Sequence, residues 1–250
     1  MNGPAQRVAA LYDVHGNLPA LEAALAAAEE LHVELFVLGG DLALGPMPRE
    51  VLDRLAELGD RARYLRGNCD RLMVDAYDGR TTGSLPVPVA ESIAWAGGQL
   101  RRRDRDFLAS LPATLTLEID GLGSVLCCHA TPRSDDEIIT VRTPEERLRP
   151  VLESVQQSIV VCGHTHMQFQ RRCGSVQLVN AGSVGMPCGE AGAHWLLLSS
   201  RGIEFKRTTY DFGGAAQRIA RTLYPKAADF AERYVVHPPS EEEMLAALER

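Results

Sequence analysis

The segment Arg7-Val8-Ala9-Ala10-Leu11-Tyr12-Asp13-Val14-His15-Gly16-Asn17 runs from an apolar stretch into a polar turn. Arg7 to Leu11 reads as a strand, with Asp13 and His15 just beyond its end. Asn17 can then cap a helix over Leu18 to Leu31, with Pro19 tolerated in the first turn. The pattern recurs downstream. Leu35 to Leu38 is apolar and runs into Gly39-Gly40-Asp41, Pro48 opens a helix to about Leu58, and Arg63 to Leu65 ends at Gly67-Asn68. Strands alternating with helices imply a parallel sheet and an α/β fold.

Further on the rhythm changes. Residues 78–88 are rich in Gly, Pro and Thr and read as a loop, and Ala90 to about Leu108 reads as one helix. The end of that helix carries Arg101, Arg102, Arg103 and Arg105, read as a solvated face in preference to a substrate-steering patch. Beyond Thr114 strands dominate. Hairpins are expected around Asp120-Gly121-Leu122-Gly123, Cys173-Gly174 and Ser200-Arg201-Gly202, and an apolar strand over Ile159 to Cys162. From about residue 213 the chain reads as a helical extension, its last helix capped by Ser240.

Composition narrows the function classes. The 250 residues are 45% hydrophobic and 24% charged, as in an ordinary globular protein. One domain spanning 1–250 is expected, because polar strand ends from Asp13 to His166 all contribute to one site. A net charge of −7 disfavours bulk binding of an extended nucleic-acid duplex. No stretch has the roughly 20 apolar residues of a membrane span, and the N-terminus lacks a signal-peptide pattern. Six Cys occur without a CxxC pair. Reduced, buried thiols and a cytoplasmic location are therefore expected.

The polar residues after each apolar strand form one collection. Asp13 and His15 follow the first, Asp41 the second, Asn68 the third, His129 the strand at 125–128, and His164 and His166 the strand at 159–162. Four of the seven His sit at such positions. Imidazole, carboxylate and amide oxygen suit Mn, Fe, Zn, Co or Ni, and the absence of a thiolate set argues against a structural zinc knot. Seven donors exceed what one ion needs. Two ions sharing a carboxylate, roughly 3.5–4 Å apart, would use them all and could polarise a phosphoryl group.

The ordered blocks Asp13-Val14-His15, Gly40-Asp41, Gly67-Asn68-Cys69-Asp70, His129 and Gly163-His164-Thr165-His166 resemble those of the calcineurin-like metallophosphoesterases. Asn180-Ala181-Gly182-Ser183-Val184-Gly185 resembles a loop of the small bacterial branch. The resemblance covers about residues 7 to 210. It implies a metallophosphatase sandwich of two mixed β-sheets flanked by helices. It also implies one metal on Asp13, His15, Asp41 and His166, and a second on Asp41, Asn68, His129 and His164. A hydroxide between the ions would attack phosphorus, and Asn68 would help hold the phosphoryl oxygens. Mn is the metal expected first.

The block Asn68-Cys69-Asp70 departs from the Asn-His-Asp of many members. A thiol of ordinary pKa near 8.5 is a poorer proton donor than imidazole. The family-like role of Cys69 therefore weakens, diesters or good leaving groups are favoured, and Asp70 lacks the ring it would orient. Plain packing of Cys69 stays open. Arg133 could clamp a phosphate or pair with Asp135 or Asp136, and Arg71 is a weaker candidate. Asn180 and Ser183 suit positions behind the ligands. His32, His194 and His237 match no motif and read as structural.

A phosphodiesterase acting on a small phosphoester is the leading expectation. A phosphomonoesterase acting on a nucleotide, a dinucleoside polyphosphate or a phosphoprotein is the rival enzyme, and short oligonucleotides or cyclic nucleotides stay open as substrates. A scaffold is the rival of another class, since a retromer subunit shares this fold after departing from the ligand pattern, whereas every ligand position is filled here. Specificity would lie in loops 42–48, 78–88, 130–143 and 184–193. A homo-oligomer, a role for the extension as a cover over the site, and Tyr234-Val235-Val236 as a docking anchor or as simple packing all stay open.

Overall fold

The computed structural model describes residues 3–80 and 85–249; of the expected 78–88 loop, residues 81–84 lie outside the described residues. Strands β1 (Arg7–Leu11), β2 (Leu35–Leu38) and β3 (Ala62–Tyr64) are parallel neighbours. They join β9 (Ala193–Ser199) and β10 (Gly202–Thr208) in a sheet ordered β10-β9-β1-β2-β3. The second sheet, ordered β4-β5-β6-β8-β7, is made of β4 (Thr114–Ile119), β5 (Gly123–Cys128), β6 (Ile159–Cys162), β7 (Gln168–Cys173) and β8 (Val176–Ala181). Its three central strands are parallel and its two edges antiparallel. Both sheets are mixed, and together they form the expected sandwich.

Alternation along each strand sorts side chains between layers. Val8, Ala10 and Tyr12 face Val125, Cys127 and Val161 of the other sheet, while Ala9 and Leu11 face helices on the outer side. The central strands are buried on both faces, so they read as unbroken apolar runs. Tyr12 spans the inter-sheet layer and donates its hydroxyl to the Val161 carbonyl at 3.1 Å.

Helices α1 (Leu18–Glu30), α2 (Pro48–Ala56), α3 (Asn68–Tyr77), α4 (Val87–Gln99) and α5 (Arg102–Ser110) cover the first sheet. Asn17 caps α1 as expected, accepting from the Ala20 amide at 3.2 Å. The single helix expected over 90–108 is two helices. Gly97-Gly98 weaken the first, and the Asp104 carboxylate accepts from the Arg101 amide at 2.9 Å, starting a new helix. The Arg run is an ion-paired surface: Arg101 and Arg103 pair with Asp53, Arg102 with Asp106, and Arg105 with Asp78.

On the second sheet lie α6 (Glu145–Leu152) and α9 (Glu241–Leu248), which contribute Leu148, Val151 and Leu245 to that core. Pro150 inside α6 disguised this helix in the sequence. The rest of the extension is α7 (Phe212–Ala220), α8 (Ala227–Phe230) and a π-helical turn over Ala231–Val236, built around Ile219, Phe230 and Val235. Val235 is fully buried there, so the Tyr234 segment packs on its own domain. All six thiols are free, five of them buried. No helix among the described residues is long and apolar enough to cross a membrane.

Candidate metal centre

The carboxyl ends of β1, β2, β5 and β6 point the same way, so their following loops meet. Those loops adopt a costly conformation. Asp13, His15, Asp41, His164 and His166 all have positive φ, between 48° and 68°. A non-glycine residue there loses roughly 1–3 kcal/mol and persists only where its surroundings impose it. The surroundings are a continuous backbone network. Asp13 N–H donates to Gly40 O at 3.1 Å, and His15 N–H donates to Asp41 O at 2.9 Å. The Asp13 carbonyl accepts from the Gly185 amide at 2.9 Å and from the Ser183 hydroxyl at 2.8 Å.

Three clusters of ligand-type atoms result: Asp13, His15 and His166; Asp41, His129 and His164; and His15, Asp41 and Cys69. Asp41 lies between them. Its Oδ2 is 3.7 Å from His15 Nε2, and its Oδ1 is 3.5 Å from His129 Nε2. Asn68 Oδ1 is 3.2 Å from His129 Nε2. The structure thus gathers every sequence-predicted metal ligand.

The donor set fits cations rather than mutual hydrogen bonding. Asp13 Oδ1 is buried without a hydrogen-bond partner. It lies 3.4 Å from His166 Nε2, and 3.8 Å from both His15 Nε2 and His129 Nε2. His15 and His166 present their Nε2 atoms to each other at 3.1 Å. Such separations match neighbouring ligands on an ion whose bonds are roughly 2.0–2.2 Å. The remaining ring atoms are directed by carbonyls: His129 Nδ1 lies 2.8 Å from Gly39 O, and His15 Nδ1 lies 3.2 Å from Leu44 O. Donation from Nδ1 leaves Nε2 free to bind a cation.

Burial and neighbouring charge set the protonation. Burial alone would raise the Asp41 carboxyl, but His129 and then His15 outweigh it and hold it below the usual range. Asp13 is held down in the same way, against burial, by His166 and His129. Burial lowers the His129 imidazole, yet Asp41 and Asp13 prevail and raise it to about 10. Burial and then His166 lower His15 to about 4, keeping it neutral.

The Asn68-Cys69-Asp70 block opens α3, a placement the sequence reading missed although an acid at the third helical position is a start signal. Asp70 orients no side chain. Its Oδ2 accepts from the amides of Asp41 at 2.8 Å and Gly67 at 2.9 Å, and its Oδ1 accepts from Leu42 at 2.9 Å. Asp70 therefore ties the β2 loop to the start of α3. Burial and then Asp41 push its carboxyl up to about 7. The Cys69 amide donates to Asp41 Oδ1 at 2.8 Å, and its sulfur joins His15 and Asp41 in a ligand-type cluster. Burial and then Asp41 push the thiol well above its usual range, so it retains its proton.

Arg133 is exposed, and its guanidinium pairs with Glu137, not with Asp135 or Asp136. Asp135 instead receives a two-pronged bond from Arg71, at 2.9 and 2.8 Å. The geometry brings neither Arg into the ligand cluster. Asn180 and Ser183 lie behind it. Asn180 Nδ2 donates to Gly163 O at 2.6 Å and Thr165 Oγ1 at 3.0 Å, fixing the turn that carries His164 and His166.

Residues 7–201 match the model of the calcineurin-like phosphoesterase superfamily domain. Among solved structures, a hypothetical protein of Pyrococcus horikoshii is 22% identical with a TM-score of 0.79, over 94% of this chain and 99% of that one. A metallophosphoesterase from Sphaerobacter thermophilus is 24% identical with a TM-score of 0.73, over 92% and 98%. These likenesses show the fold. None of the curated proteins compared matches the chain.

Proposed function

The chain belongs to the calcineurin-like phosphoesterase superfamily, and from that premise we propose that it is a phosphodiesterase whose centre holds two divalent cations bridged by Asp41. The observation that carries the reading is the position of Asp41, one oxygen 3.7 Å from His15 Nε2 and the other 3.5 Å from His129 Nε2, while Asp13 Oδ1 is buried without a hydrogen-bond partner. Asp13, His15, Asp41 and His166 would hold one cation, and Asp41, Asn68, His129 and His164 the other. The bound cations would supply Lewis-acid polarisation of the phosphoryl group and activation of water. Mn is the first choice, with Fe, Zn, Ni or Co also compatible with these donors.

The chain's own groups do the rest. The carboxylates of Asp13 and Asp41 hold the positive charge in place. His164 and His166 are only half-buried and form the open side through which a small phosphoester enters. Asn68, in the first turn of α3, is placed to bind a phosphoryl oxygen as well as to ligate. The Cys69 thiol retains its proton and yields it reluctantly. That suits a diester or another substrate whose leaving oxygen needs little protonation. An acidic chain with an ion-paired Arg face supports a small substrate rather than an extended duplex. Free, mostly buried thiols support a reducing, cytoplasmic setting.

The test is hydrolysis of bis-p-nitrophenyl phosphate beside p-nitrophenyl phosphate by metal-stripped protein, with Mn, Ni, Co, Zn or Mg added back singly. Diester cleavage restored by a metal and faster than monoester cleavage is expected. Preferential monoester cleavage would make the protein a phosphatase, and no turnover with any bound metal would return the scaffold reading.

A further inference from the structure

Beside the metal centre lies a cleft of about 450 Å³, within the range of small-molecule sites. His15 forms part of its wall, so the cleft opens directly onto the ligand cluster. Leu44 and Met186 contribute from two strand-end loops, and Pro88 and Val89 from the start of α4. The opposite wall belongs wholly to the C-terminal helical unit: Tyr224, Lys226, Asp229, Phe230, Arg233 and Tyr234. No ligand motif extends into this unit, so the metal chemistry does not account for it.

We infer that this cleft binds the nucleoside arm of a phosphoester substrate that carries at least one further phosphate. The inference rests on the phosphoester-hydrolase reading above and names the substrate class of that site. Three features of the wall converge on it. The first is an aromatic bank. Tyr224 stands edge-on to Trp95 at 5.4 Å between centroids, and Phe230 lies 5.3 Å from Tyr234. Tyr224 and Tyr234 are half-buried, so each is anchored yet keeps surface on the cleft. Aromatic surfaces take a flat base by stacking.

The second feature is charge. Lys226 and Arg233 are exposed at the cleft, and neither forms an ion pair among the described residues, whereas the arginines of α5 are neutralised by aspartates. Two cations without an acidic partner, Arg233 with its guanidinium over the Tyr234 ring at 5.8 Å, suit a second phosphate beside a phosphoester-cleaving centre. Asp229, on the same wall, repels phosphate but accepts hydrogen bonds, which suits the hydroxyls of a sugar. The third feature is backbone. Arg233 and Tyr234 lie in the π-helical turn over Ala231–Val236, an uncommon conformation found often at functional sites. The turn is pinned by buried Ala231 and Val235, so it presents both side chains from a fixed platform.

The test is equilibrium binding of ADP, adenosine and inorganic pyrophosphate to the metal-stripped full-length chain, by calorimetry and by intrinsic tryptophan fluorescence. ADP is expected to bind more tightly than either fragment. Tyr234→Ala should weaken ADP binding about 5- to 100-fold, the span of one lost stacking partner. Arg233→Glu replaces an exposed side chain, so it keeps the test sound if Tyr234→Ala fails to fold. It should weaken ADP and pyrophosphate at least fivefold and adenosine little. ADP binding no tighter than pyrophosphate, or unchanged in Arg233→Glu, overturns the inference. The diester assay is independent of this one. ADP binding without diester cleavage would keep the subsite and sink the phosphodiesterase; cleavage with no ADP binding would do the reverse.

Discussion

The two ends of the sheet sandwich use left-handed backbone in opposite ways. At the carboxyl ends of β1, β2 and β6 the positive-φ residues include, beside Gly16 and Gly40, the non-glycine residues Asp13, His15, Asp41, His164 and His166. At the hairpin ends the same region is occupied by Gly121, Gly123, Gly174 and Gly202. The hairpin turns use the residue type that adopts this backbone without strain. The site end gives ligand side chains to positions that would be easier for glycine and holds them there by cross-loop hydrogen bonds. Strain marks where side-chain chemistry outweighs backbone ease.

Close approach shows the same contrast. A Cβ at Gly67 would stand 2.1 Å from Asp41 Oδ1, and one at Gly40 would stand 2.4 Å from the Gly67 nitrogen, whereas Gly174 has open space. Gly67→Ala is therefore expected to destabilise the fold by about 1–3 kcal/mol through overpacking. It should also cut metal-dependent turnover at least ~100-fold, since it displaces the Asp41 carboxylate itself rather than a residue behind a candidate ligand. Gly174→Ala meets only the left-handed backbone penalty of about 1–2 kcal/mol and should retain full kcat/KM where it is folded. Denaturant unfolding and diester turnover of the two variants check this. Equal loss of turnover in both would erase the distinction between the ends.

A smaller effect sharpens the same comparison one layer out. Asp70→Ala removes the acceptor of three backbone amides, those of Asp41, Leu42 and Gly67. Weaker metal binding by about 10–100-fold is expected, with Asp70→Asn intermediate because its amide keeps one acceptor oxygen. Metal titration followed by calorimetry reads this directly. Unchanged affinity would mean that the loops hold their shape without the carboxylate.

The parts of the molecule legible in the sequence are those where one residue's chemistry acts locally. Asn17 as a cap, the fully apolar central strands and the glycine hairpins depend on near neighbours, and each stands where its residues placed it. The seven candidate ligands were legible because each follows a short strand. The role of Asp70 was not, because its partners Asp41 and Leu42 are 29 and 28 positions away in the chain. The pairing of Arg71 with Asp135 spans 64 positions and was hidden in the same way. The break between α4 and α5 was written in Gly97-Gly98 and Asp104, but the Arg run masked it as a continuous charged helix. The wall formed by the C-terminal unit depends on where that unit docks, and its own sequence periodicity carries no such information.

A further expected effect is a pH dependence of the metal-free protein. Asp41 and Asp13 overcome burial to raise His129 from 6.5 to about 10. The folded state then binds a proton more tightly than the unfolded chain. The resulting stabilisation is fully present below about pH 6.5 and is lost as pH rises through about 10. Thermal unfolding of metal-free protein should show Tm falling across that window, and His129→Gln should flatten the fall. A cation competes for the same nitrogen, so loading near pH 8 should release a proton from His129. A Tm that stays level in the metal-free wild type would contradict the assignment.

The central claim is that Asp41 joins two cation sites into one centre. Its most direct measurement is metal stoichiometry after loading and desalting, by elemental analysis of wild type and Asp41→Asn. Two divalent ions per chain in the wild type and at most one in Asp41→Asn are expected. A single ion in the wild type, or two retained in Asp41→Asn, would contradict the claim.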